Sequence, residues 1–124
     1  MVHKLHRPLI TITTGSGLSA VTHLIHDRWF DADRVHRDGN GVVEIRMERS
    51  AREVTDPRGR GRILRIQQVA LIETYDDASV GLYDVEELSY ESDPDRLVLT
   101  GNIPIKIVFF VSAISVSVFE CARP

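Results

Sequence analysis

The sequence predicts a mainly β fold: a single antiparallel β-sandwich or barrel-like domain over residues 1–124, with room for one short N-terminal helix. Three observations carry this. Most apolar residues fall in short runs of period two, turn signals separate those runs, and only one stretch has apolar residues at helical spacing. Many short sequential strands joined by local turns favour an antiparallel sandwich or barrel over a parallel sheet. The sequence contains no internal repeat.

Taken in order, "LITITT" (9–14) is β-branched, alternates, and stops at "GSG". In the segment 16–30, "SGLSAVTHLIHDRWF", Leu18, Val21, Leu24, Ile25 and Trp29 recur at helical spacing, and Ser16 or Ser19 could cap a helix over about 17–28. The same residues also fit a strand with Val21, His23, Ile25 and Asp27 on one side. Trp29 and Phe30 are read as core anchors. "GVVEIRMER" (41–49) places Val43, Ile45 and Met47 on one face and Glu44, Arg46 and Glu48 on the other. It follows "DGNG", whose residues accept positive φ, so a hairpin is expected with its first strand near Arg34 to Arg37.

After the loop "DPRGRGR" (56–62), "RILRIQQVALIETY" (62–75) reads as one long strand with Leu64, Ile66, Ala70 and Ile72 on its buried face. "LYDVEELSYE", the turn "SDPD" (92–95) and "RLVLTG" continue the meander. The apolar run 103–119, "IPIKIVFFVSAISVSVF", reaches only the lower end of the roughly 17–25 residues that span a bilayer. It also contains Pro104, Lys106 and three serines, and Ser115 and Ser117 alternate with Ile114, Val116 and Val118. It is therefore read as one or two central core strands, divided near "SAIS", because apolar character on both sides suits strands covered on both faces.

Bulk properties narrow the function. The composition is 43% hydrophobic and 27% charged, as expected of a globular domain, and the net charge of -3 offers no global attraction to nucleic acid or an anionic membrane. Cys121 is the single cysteine, so no intramolecular disulfide can form; with no signal-like apolar run at the start, a cytoplasmic protein is expected.

The densest chemistry lies in "HLIHDRWFDADRVHRD" (23–38). On a helix, His23, His26 and Asp27 share one face at i, i+3 and i+4 and could bind zinc or a similar divalent ion, with His36 folding back onto them. On a strand they scatter. The alternative is structural, with His26 and Asp27 hydrogen-bonding to each other or to the backbone at a strand entry. Known motifs do not fit. The HD phosphohydrolases spread their ligands over several helices of a longer all-α domain. An EF-hand reading of "DADRVHRDGNG" puts Val35 and His36 where a ligand and a glycine are needed. There is no Gly-x-Ser-x-Gly elbow and no phosphate-binding P-loop.

Arg58, Arg60 and Arg62 form a local basic patch that could contact phosphate backbones, although no aromatic residues interleave them. Nucleic acid is accordingly not the expected partner. Charge is also segregated along the chain. Residues 46–65 carry seven arginines, whereas 66–95 contain no Lys or Arg and nine carboxylates. Pairing between adjacent strands is the expected use of this asymmetry, with steering of a partner or self-association as the alternative.

The order "IHDRWFDADRV", "DGNGVVEIRMER", "RILRIQQVALIETY", "LYDVEELSYESDPDRLVLTG" and a final apolar strand resembles a loose group of small, mostly uncharacterised bacterial proteins. In these a His-Asp pair, here His26-Asp27, precedes an antiparallel meander, and some look like immunity proteins of toxin systems. The resemblance covers about residues 23–118. It implies a mainly β domain and a binding role, and it carries over no catalytic residues. The expected function is thus a small binding or interaction module, acting as a homo-oligomer or on a protein partner, without a cofactor. A metal-binding protein or metal-dependent hydrolase using His23, His26 and Asp27 is the alternative.

Overall fold

The computed structural model describes residues 5–55 and 61–121, with side chains from Arg7 onward. The fold is mainly β, in two antiparallel sheets with one N-terminal helix. The strands are β1 (Leu5–Ile12), β2 (Trp29–Asp31), β3 (Val43–Met47), β4 (Arg62–Ile66), β5 (Val69–Tyr75), β6 (Leu82–Glu91), β7 (Arg96–Gly101), β8 (Lys106–Val111) and β9 (Val116–Cys121). One sheet has the order β1-β9-β4-β3 and the other β2-β6-β7-β8-β5. The helices are α1 (Leu18–Ile25), which follows a 3-10 turn at Gly15–Gly17, and the short α2 (Ala51–Thr55).

The segment that fitted helix and strand equally well is both in succession. Leu18, Val21 and Ile25, one face of α1, enter the core, and the chain then turns into β2. Phe30 is fully buried against Tyr83, with ring centroids 6.2 Å apart, as a core anchor should be. Trp29 is only half-buried, because alternation along β2 turns it away from the interior.

Two expectations for the strands need correction. The run 62–75 is not one strand. It bends at Gln67-Gln68, where Gln68 takes φ 60°, and β4 and β5 lie in different sheets. The C-terminal run bends at the same level, at Ser112–Ser115. The two corners hold each other: Ser115 Oγ donates to Gln67 Oε1 at 2.9 Å and Ser112 Oγ to Gln68 Oε1 at 3.3 Å. The Gln67 N–H donates to the Ser115 carbonyl at 2.9 Å, and the Ser112 N–H to the Gln68 carbonyl at 3.0 Å. A paired ribbon, β4–β5 against β9–β8, thus passes from one sheet into the other. The bend breaks the expected alternation, so Leu64 and Ile66 are buried while Ala70 is exposed and Ile72 half-buried.

The second correction concerns the hairpin. The turn forms: Asp38 Oδ1 accepts from the Asn40 and Val42 N–H groups at 2.8 and 3.0 Å, which holds its carboxyl below the usual range. Its first strand does not form. Ala32–Arg34 is a 3-10 turn, and only Arg37 pairs with Val43, as an isolated bridge. β3 takes its full ladder from β4 on its other side, and on this side the 3-10 turn at Ala32–Arg34 bends the chain away, so that only single bridges form at Arg37 and Trp29. Gly41, at φ 75°, lies against β5, and a Cβ there would come within 2.9 Å of the Val69 carbonyl.

The C-terminal strands are central as expected, β9 between β1 and β4, and β8 between β7 and β5. Among the described residues no helix is long and apolar enough to cross a membrane.

Candidate functional site

The His-Asp segment is set by where α1 stops. Ile25 is its last residue. His26 leaves the helix with ψ 137°, and Asp27 takes φ 64°. The i, i+3, i+4 face needed to gather His23, His26 and Asp27 is therefore cut before it is complete. His23 is exposed on α1, and His36 is exposed beyond the 3-10 turn. His26 Nδ1 lies 3.2 Å from Asp27 Oδ2, and the Asp27 N–H donates to the Val85 carbonyl at 2.9 Å. Among the described residues no three His, Cys, Asp or Glu side chains come together in a way that could hold a metal ion. The pair stands at the entry to β2 as a local contact.

Arg58 and Arg60 lie outside the described residues. Arg62 is the first residue of β4 rather than a loop cation. Its Nη1 donates to the Leu24 carbonyl at 2.6 Å, capping the end of α1, and its Nη2 is 3.9 Å from Glu120.

The segregated charges do not pair with one another among the described residues. Arg46 bonds Glu48, Arg62 approaches Glu120, and Arg65 Nη2 meets Glu44 at 2.6 Å, so these arginines use carboxylates outside 66–95. Carboxylates of the acidic stretch take neutral donors instead. Asp76 accepts from the Tyr83 hydroxyl, Asp84 from the Asn102 amide, Asp95 from the Tyr90 hydroxyl and Glu86 from the Thr100 hydroxyl. Arg96, at the border of the stretch, meets Glu91. Burial and then Asp76 push the Tyr83 hydroxyl above its ordinary proton affinity; Asp95 does the same to Tyr90, and Glu73 to Tyr75. The basic and acidic regions thus remain separate.

The sheet edges distinguish themselves by how they are covered. An uncovered edge strand presents a row of free N–H and C=O groups to any strand that can pair with it. On β6, the edge left by the short β2 is closed by α1 and the turn after it. Val85 exchanges hydrogen bonds with Asp27 and Arg28, and Thr22 Oγ1 both accepts from the Leu88 N–H and donates to its carbonyl, each at 3.1 Å. The β1 edge contains Pro8 and two register shifts. The β3 edge alternates in Glu44 and Arg46 and is bridged at Val43 by Arg37 and just past its end by Trp29, which pairs with Glu48.

The fourth edge, β5, differs. Val69 is covered, since its N–H donates to the Gly41 carbonyl at 2.9 Å and its carbonyl accepts from Arg37 Nε at 3.0 Å. From Ala70 to Tyr75 no such cover exists among the described residues. This stretch holds one charge, Glu73, and neither proline nor lysine. Leu71 and Tyr75 are 52% and 54% exposed, and Val80 in the next turn is 57% exposed. The pairing aligns Leu71 with Phe110 and Tyr75 with Lys106, whose Nζ lies 5.8 Å from the Tyr75 ring centre.

Neither the edge position of β5 nor the burial of Glu48 is among the expectations from sequence. The low charge of "VALIETY" was a usable signal for the first. For the second there was none, because Glu48 is buried by pairing with Trp29, a contact between distant segments. No family model, curated protein or solved structure matches the chain.

Proposed function

We propose that this protein is a small interaction module that works as a homodimer, two copies joining antiparallel along β5. One observation supports it above the others: among the described residues, of the four sheet edges β5 alone is long, nearly uncharged and uncovered. A second copy is the occupant this edge suits. Antiparallel pairing of a strand with its own copy is isologous, so one surface supplies both halves and the assembly closes. Lys106, opposite Tyr75 on β8, also gives each copy a cation one strand behind the edge to offset the charge of Glu73. Strand addition would supply main-chain hydrogen bonds, and Leu71 and Tyr75 the apolar contact. The resemblance to immunity-type proteins favours a binding role of this kind, and the lone, buried Cys121 suits the reducing cytoplasm.

Light scattering on a sizing column tests the reading. A dimer is expected at micromolar concentration, and Leu71→Lys should convert it to a folded monomer. A wild-type monomer under the same conditions would overturn it, as would a dimer indifferent to Leu71→Lys. An unrelated protein occupying β5 while the chain stays monomeric would transfer the edge to another partner and refute the dimer.

A further inference from the structure

The strands behind β5 decide which backbone groups it offers at the edge. The Val111 N–H donates to the Asp95 carbonyl at 3.2 Å, on the β7 side of β8. Its pairing partner Val69 turns both backbone groups away from β8, to Gly41 and Arg37. Backbone direction alternates along a strand, so Phe110, Val108 and Lys106 face β5 and bond their partners Leu71, Glu73 and Tyr75. The far side of the sheet agrees. The same alternation, carried through β7, turns Leu88 of β6 outward, where Thr22 satisfies both its backbone groups. On β5 the outward groups are therefore those of Ile72 and Thr74.

Both ends of this stretch limit how a second copy can align. Toward Val69 the register shifts and Ala70 has no partner on β8. Beyond Tyr75 the chain enters a turn, in which Asp76 Oδ1 accepts from the Ser79 N–H at 2.9 Å. If β5 is the dimer edge, as proposed above, a two-fold axis at Ile72 would set Thr74 against the bulged Ala70. An axis at Thr74 would set Ile72 against Asp76 in the turn. An axis at Glu73 sets Ile72 of each copy against Thr74 of the other, and every outward group is then paired.

We propose that the two-fold axis of the dimer passes between the Glu73 residues of the two copies, so that acid strengthens the association. Leu71, Glu73 and Tyr75 are all exposed, on the sheet face away from the core that Ile72 packs against. In this register Leu71 of each copy meets Tyr75 of the other, an apolar pair on either side of the axis. Glu73 meets its own copy at a pair without mutual hydrogen bonds, where side chains stand closest. The groups facing it within one copy are the Tyr75 hydroxyl, which donates to Oε1 at 3.2 Å, and Lys106, diagonally placed on β8 behind the apolar Val108. Lys106 already lies over the Tyr75 ring, so it offsets the two carboxylates only in part. A proton on either carboxylate removes the repulsion, and the dimer therefore holds that proton more tightly than the monomer does. Association strengthens as pH falls through the glutamate range and weakens as it rises.

Oxidative cross-linking of single-cysteine variants reads the register, with light scattering of the wild-type protein beside it. The native Cys121 is buried and out of reach. Glu73→Cys should link to itself, because directly opposed Cα atoms, about 4.5 Å apart in such a pair, lie within disulfide range. Leu71→Cys and Tyr75→Cys should each fail alone and link when mixed. The dissociation constant of the wild type should fall by up to about five-fold between neutral and mildly acid pH, the effect of one like-charged pair directly opposed. Glu73→Gln should associate as tightly at neutral pH as the wild type does in acid, with little further change. A wild-type dimer in which Glu73→Cys does not link, or Leu71→Cys links to itself, overturns this register and leaves β5 as the edge. A dimer indifferent to pH, or equally sensitive in Glu73→Gln, overturns the acid effect. A wild-type monomer overturns the dimer itself and this inference with it.

Discussion

Glu48 shows how much one residue can depend on contacts that its own neighbourhood in sequence does not announce. Alternation along "VVEIRMER" assigns it to the solvent face with Glu44 and Arg46, and those two do lie toward solvent. Glu48 does not, because its backbone N–H and carbonyl exchange hydrogen bonds with Trp29 at 2.9 and 2.7 Å, fastening it where the two sheets meet. The arrangement leaves no room beside it. A Cβ on Gly61 would sit 2.5 Å from Glu48 Oε2 and 2.8 Å from Cδ. The carboxylate cannot simply swing away, since it is buried and held by Arg46. Gly61→Ala should therefore lower the unfolding free energy in urea by about 1–3 kcal/mol, the usual cost of overpacking. Part of that loss should return when the same change is made in a Glu48→Ala background, because the two residues share one space. Equal losses in both backgrounds would mean that Gly61 matters for another reason.

At the scale of elements, the sequence was most legible where turn chemistry and period agreed. The Asp38 turn, the "SDPD" turn between β6 and β7 and the division of the C-terminal run at "SAIS" all stand where local residues put them. The break at Gln67-Gln68 was illegible for a physical reason. Glutamine has no special preference for φ 60°, so no glycine or proline marks the bend. It exists because the ribbon partner turns at the same level and offers Ser112 and Ser115 to both glutamine side chains. The helix was half legible: apolar spacing gave its buried face, but its end at Ile25, on which the gathering of His23, His26 and Asp27 depended, was not marked. What α1 does for the sheet runs through Thr22, which satisfies both backbone groups of Leu88. Thr22→Val keeps the shape and strands those two groups, at a cost of about 1–3 kcal/mol for each left unsatisfied. Chemical denaturation should record that loss, with faster amide exchange at Leu88; Thr22→Ser should largely restore both.

Across the whole molecule, one end is rich in arginine and the β5–β6 region in carboxylates that bond to hydroxyl and amide groups. Charge separated in this way steers encounters more than it holds a fold together. The edges follow a comparable division. Proline, bulges, charge, a helix and a turn close three of them, so β5 stands out as a place to join another strand. Fold class was readable from period and turns, but the exposure of β5 required knowing which strand came last in its sheet. That order is set by long-range pairing between β5 and β8, not by anything within "VALIETY" itself.

The proposed dimer is tested most directly by residue-resolved amide hydrogen exchange across Ala70–Tyr75 at two protein concentrations, one well above and one well below the expected dissociation constant. If β5 pairs with its copy, the outward-facing amides of this strand are protected in the concentrated sample and exchange freely on dilution, while β1 and β3 stay unchanged. Outward amides on β5 that exchange freely at both concentrations, or concentration-dependent protection at β1 or β3 instead, would contradict it.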